Sequence, residues 1–115
     1  MANIQRSSEI VIYQGQTKTF NLVPKDASGS DITINDTPSK LSELAFNAYK
    51  YIDDTTATVT VSSVTHTDGA STIQVNFVPS ETSSTDPQTY MYVLTGKYDG
   101  EAKIFLRDQL SVLRV

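Results

Sequence analysis

Apolar residues fall on every second position through most of this chain. Ile73, Val75 and Phe77 alternate with Gln74 and Asn76, and Val59 and Val61 alternate with Thr58 and Thr60. Period two is the mark of a strand, whose successive side chains leave on opposite faces. The same reading gives strands at Ser8 to Tyr13 (apolar at Ile10 and Ile12), Thr17 to Val23 (Phe20, Leu22) and Ile32 to Ile34. It gives three more at Tyr90 to Thr95, Glu101 to Arg107 and Leu110 to Val115. Between them stand turn formers: Gln14-Gly15-Gln16, Asp26 to Ser30, Asp53-Asp54, Asp68-Gly69 and Asp99-Gly100. Asp and Ser bond back to nearby backbone and Gly supplies positive φ, while Asp-Gly is a hairpin signal. Pro79 to Pro87 reads as a polar loop.

One stretch is ambiguous. Leu41, Leu44, Ala45, Ala48, Tyr49 and Ile52 fit helical spacing, but Leu44, Phe46 and Ala48 equally fit one face of a strand. The strand is favoured, because every neighbouring segment reads β. About eight strands at roughly ten-residue spacing predict an all-β, antiparallel, Ig-like β-sandwich of about 7–8 strands. The 115 residues suit one domain, 1–115. The expected core is Phe20, Leu22, Phe46, Val59, Ile73, Val75, Phe77, Tyr92, Ile104 and Leu106. Tyr90 should be architectural. Ig-like sandwiches place a tyrosine early in the penultimate strand, bonded to backbone of the preceding corner, here the loop between Pro79 and Pro87.

Composition narrows the functional classes. Ser and Thr supply 28 residues, in keeping with half-exposed pleated surfaces. Cys is absent, which removes disulfides and thiolate metal sites. Net charge is −4 and the lysines stand singly, so the clustered basic face that displaces phosphate counterions is missing. No nucleic-acid partner is expected. No membrane partner is expected either: no apolar run is long enough to cross a bilayer, and MANIQRSSEI has no signal-peptide core.

Candidate chemistry is sparse. His66 is the sole histidine, and it reads as a solvated turn residue rather than part of a Ser-His-Asp triad. Asp53-Asp54 and the group Asp99, Glu101, Asp108 offer carboxylates but fewer than Ca²⁺ ligation requires. No catalytic residue, cofactor or metal is expected. Among the six tyrosines, Tyr49, Tyr51 and Tyr98 are candidates for stacking on a sugar ring or anchoring a partner. The first and last strands lie near sheet edges on this reading. That makes Ile10, Ile12, Tyr13, Arg107, Arg114 and Val115 the candidate interface, with Arg6 beside them.

A family resemblance adds a function. Gly15-Gln16-Thr17 precedes a Phe strand, and Asp26 to Gly29 makes a turn. Val78-Pro79-Ser80-Glu81-Thr82, Tyr90-Met91-Tyr92, Asp99-Gly100 and Leu110-Ser111-Val112 follow in order. This succession resembles small Ig-like domains of tailed-bacteriophage virion proteins of baseplate, fibre-attachment and head-decoration type. Gln16 stands where those domains usually have Asp. The resemblance implies a non-enzymatic structural protein of the tail, baseplate or capsid. It implies other virion proteins as partners, many copies or a homo-oligomer in the particle, and a virion location after synthesis in the host cytoplasm. The alternative is a carbohydrate-binding or adhesion module using exposed tyrosines.

Overall fold

The computed structural model describes residues 9–26, 28–51 and 53–115. Ser8 of the first expected strand, Arg6 before it, and Ile52 of the ambiguous stretch lie outside the described residues. The strands are β1 (Ile10–Tyr13), β2 (Lys18–Leu22), β3 (Leu41–Tyr49), β4 (Val59–Val61), β5 (Ser63–Thr65), β6 (Ile73–Phe77), β7 (Thr89–Tyr98) and β8 (Glu101–Leu113). A single-turn helix, α1 (Pro79–Thr82), precedes β7. The five-stranded sheet runs β1-β8-β7-β3-β4 and the three-stranded sheet runs β2-β6-β5. This is the Ig-like division, with β8, β7 and β3 at the centre of one sheet and β2, β6 and β5 forming the other.

Alternation sets the two inner faces. Ile10 and Ile12, Phe46 and Ala48, Tyr90, Tyr92 and Leu94, and Leu110 and Val112 all turn inward from the larger sheet and are buried. Leu22, Ile73, Val75 and Phe77 meet them from the smaller sheet. Phe46 stacks on Tyr92 at 4.7 Å between ring centres and meets the edge of Phe77 at 5.6 Å. Burying one such side chain stabilises by roughly 1.5–3 kcal/mol.

The ambiguous stretch is strand β3, paired with β7 from Leu41↔Tyr98 to Tyr49↔Met91. Other expectations need correction. The antiparallel rule has one exception, since β1 runs parallel to β8 from Ile10↔Leu110 to Tyr13↔Leu113. The returning strand at Ile32 to Ile34 is absent; an isolated Lys25↔Asp31 bridge stands before it, and Ile34 is buried from irregular backbone. The two expected strands Glu101 to Arg107 and Leu110 to Val115 merge into β8, which ends at Leu113, because Asp108 and Gln109 continue the ladder opposite Tyr92 and Met91. The Pro79 to Pro87 segment contains α1, with Pro at its start, where a missing N–H costs least.

The run from Val59 to Thr65 changes sheets. β4 pairs with β3, and β5 pairs with β6 on the opposite layer. The joint is Ser62, whose N–H and Oγ–H donate to Glu81 Oε2 at 2.9 and 3.2 Å. The other oxygen, Oε1, accepts the Val78 N–H at 3.0 Å. One carboxylate thus fastens the sheet crossover to the helix start.

Two bulges bend the far end of the larger sheet. Leu94 faces Leu106 and Thr95 faces Ile104, so Phe105 is an extra residue on β8. The insertion overturns the expected alternation: Phe105 is buried beside Leu106, and Ile104, expected in the core, is 50% exposed. On the other side of β7, Ser42↔Lys97 is followed by Ala45↔Thr95, which leaves Glu43 and Leu44 against Gly96 alone. Glu43 takes the strain, with φ of 51°. Gly96 makes the packing possible, since an added Cβ would stand 2.7 Å from Leu44 Cδ2 and 3.1 Å from Phe105 Cε2. Phe20 is half-buried, its ring edge 5.7 Å from Phe77, because β2 is an outer strand of its sheet.

Candidate interaction surfaces

The outer face of the five-stranded sheet follows from the same alternation. Across the strands, Tyr13 neighbours Leu113, and Val11 stands in a row with Ser111 and Thr89. Met91 lies between Gln109 and Tyr49, and Val93 between Arg107 and Asn47. Arg107 is the charged residue in the last of these rows, and the exposed Glu9 precedes β1 on the same parity as Val11 and Tyr13. Val11, Tyr13, Met91 and Leu113 are 45, 51, 37 and 37% exposed. Apolar side chains left open on adjacent strands mark a surface suited to a protein partner.

The edge beside this face is partly closed. Gln14 N–H donates to the Leu113 carbonyl at 2.9 Å, so Val11 and Tyr13, one residue out of phase, turn their backbone groups to the open side. At Tyr13 both groups are occupied: its N–H donates to Gln16 Oε1 at 3.0 Å and its carbonyl accepts the Gln16 N–H at 3.1 Å. Gln16 is therefore a cap on the edge strand. Val11 is the position in β1 that keeps its backbone open.

This divides the expected interface residues. Ile10 and Ile12 are fully buried and are corrected from interface to core; the same period that marks them apolar turns them inward. Tyr13, Arg107, Arg114 and Val115 are exposed, with Val115 at 87%. The last strand is not an edge over Leu110 to Leu113, since β1 covers it there. The exposed apolar residues of this outer face include Val11 and Met91, which the sequence reading passed over. Their outward parity on known strands is the signal that would have found them.

The three candidate stacking tyrosines do not form a platform. Tyr49 and Tyr98 lie at opposite ends of the β3–β7 ladder, about 25 Å apart by strand rise. They also leave opposite faces: Tyr49 turns outward, and Tyr98 packs against the core. Tyr51 stands in the turn after β3, 60% exposed, with Lys50 Nζ 5.6 Å from its ring centre. Tyr98 Oη donates to Asp36 Oδ2 at 2.6 Å, and that bond is the main reason its phenol is held above the usual tyrosine range.

A polar cluster ties the loops at that end. Ser39 Oγ lies 2.5 Å from His66 Nδ1, and His66 Nε2 lies 2.7 Å from the Ala70 carbonyl. A carbonyl only accepts, so Nε2 carries the proton and Nδ1 accepts from Ser39. Ser39 N–H donates to Asp68 Oδ1 at 2.9 Å. Ser, His and Asp do converge here, but Asp68 binds the Ser39 backbone rather than the imidazole, so the triad relay is not built. His66 is a loop tie and half-buried, not the solvated turn residue expected. Among the described residues, no three His, Asp or Glu side chains gather as metal ligands.

No protein-family model matches the chain, and no curated protein matches it.

Proposed function

We propose that the protein is a non-enzymatic assembly subunit of a tailed-bacteriophage particle, present in many copies among other virion proteins. The observation that carries the assembly part of this reading is the outer face of the five-stranded sheet. Val11, Tyr13, Met91 and Leu113 are exposed there on three adjacent strands, with Arg107 as a nearby charge. Val11, Tyr13 and Leu113 at one corner and Met91 across Ser111 and Gln109 make a mixed face with apolar anchors, the make-up of a protein contact. The phage part rests on the order of motifs that resembles virion Ig-like domains. Repetition on a symmetric scaffold suits such a face: each contact is small, and many copies together supply avidity.

The test is the content of the particle. Gradient-purified virions from a lysate that expresses this chain, analysed by quantitative mass spectrometry, are expected to hold it at constant stoichiometry to the capsid or tail proteins. Its absence from purified virions would overturn the reading.

A further inference from the structure

The second surface lies at the other end of β8. The Asp99-Gly100 turn joins Tyr98 to Glu101 with both turn residues at positive φ, 53° and 82°, as a two-residue hairpin requires. Tyr98 and Glu101 therefore exchange hydrogen bonds, and so do Gly96 and Lys103 two rungs on. Ala102 and Ile104 fall on the alternate rungs, and their N–H and C=O groups point away from β7. β1 does not reach them, because it pairs with β8 only from Leu110 to Leu113. The chain itself places one donor on this edge, three residues beyond Ala102: Lys25 N–H donates to the Phe105 carbonyl at 2.8 Å.

A groove of about 790 Å³ takes in that edge: Ala102, Lys103 and Ile104 line it together with β7 from Thr95 to Lys97, and with Glu43, Asp26 and Ile32. Ile104 is half exposed there because the bulge turned it out of the core. The basic residues beside the groove already have partners: Lys97 pairs with Glu43 at 2.9 Å and Lys103 with Glu101 at 3.0 Å.

We propose that this edge accepts an extended segment of a partner protein, free of acidic side chains, as an added strand. Alternating open donors and acceptors match the backbone of a strand, and Ile104 and Ile32 offer contacts to its apolar side chains, while the Asp26 carboxylate, held by the neutral Ser28 and Ser30, disfavours an acidic one. The site is separate from the outer-face corner around Tyr13. It stands whether or not the protein belongs to a phage particle.

The test uses the full chain, ¹⁵N-labelled, titrated with the peptide acetyl-Thr-Val-Thr-Ile-Thr-Val-Thr-amide. The control peptide has proline in place of its central isoleucine. Amide shifts and slowed hydrogen exchange are expected at Ala102 and Ile104 with the first peptide and not with the second. Ala102→Pro removes an N–H that the β7–β8 ladder does not use, and Ile104→Lys alters an exposed side chain, so both variants should fold. Each is expected to weaken binding by about tenfold. Two results would overturn the proposal: no response at these amides, or equal binding by wild type and both variants.

Discussion

At the scale of single residues, three side chains fix joints that the backbone ladder leaves open. Tyr90 Oη donates to the Asp86 carbonyl at 2.7 Å, which secures the loop before β7. Tyr90→Phe should lower unfolding stability by about 0.5–1.5 kcal/mol, the net contribution of one hydrogen bond, in a urea titration. Glu81 accepts three hydrogen bonds, from Ser62 N–H and Oγ–H and from Val78 N–H. Glu81→Ala should cost about 1.5–3 kcal/mol, since bonds to a charged group are stronger. Tyr98 gives a pH dependence. Its bond to Asp36, then burial, raise its ionisation above the usual 10.0, so the folded state favours the protonated phenol. That stability is full below the ordinary tyrosine value and is lost as pH rises through the raised folded value. Thermal melts across the alkaline range should show this loss reduced in Tyr98→Phe. Tyr90 was legible in the sequence because its corner is a local pattern. Glu81 and Asp36 were not, because their partners lie far along the chain, at Ser62 and Tyr98.

At the scale of elements, period two located the strands well wherever the ladder is regular, as in β6, with Ile73, Val75 and Phe77 inward. It failed where one residue is inserted. Phe105 shifts the phase of β8, which sends Ile104 outward while Leu106 stays inside. A bulge is set by what a strand faces across the sheet, and sequence on one strand does not carry that. Ser62 is similar: Val59 to Thr65 looks continuous, yet the chain crosses between layers in one residue. The bulges converge on Gly96, which Leu44 Cδ2, Phe105 and the Ser42 carbonyl crowd at 2.7–3.2 Å from any added Cβ. Gly96→Ala should therefore destabilise by about 1–3 kcal/mol through overpacking. Its amide spectrum should change at Leu44 and Phe105 and stay constant in β2 and β6. An unchanged melting temperature would show that the bulges relax freely.

At the scale of the whole molecule, the sandwich presents two unlike surfaces to partners. The smaller sheet turns out an uncharged polar ladder in which Thr19 bonds Asn76, Asn76 bonds Ser63 and Thr65 bonds Gln74. Those groups satisfy each other and leave little for a neighbour. The larger sheet turns out Val11, Tyr13, Met91 and Leu113. Sequence alone pointed to the strands at the chain ends as candidate contacts, and the proposed face takes in Val11 and Tyr13 of β1 and Leu113 of β8. It assigned Ile10 and Ile12 to that contact because apolar pattern does not say which face is the core. The outer face is the central claim, and one measurement tests it most directly. Tyr13→Lys with Met91→Lys places two charges on that face without touching the core. Particles assembled with this double variant should contain much less of the protein than wild-type particles, while the purified variant melts within a few degrees of wild type. Incorporation of the folded variant at the wild-type level would contradict the account.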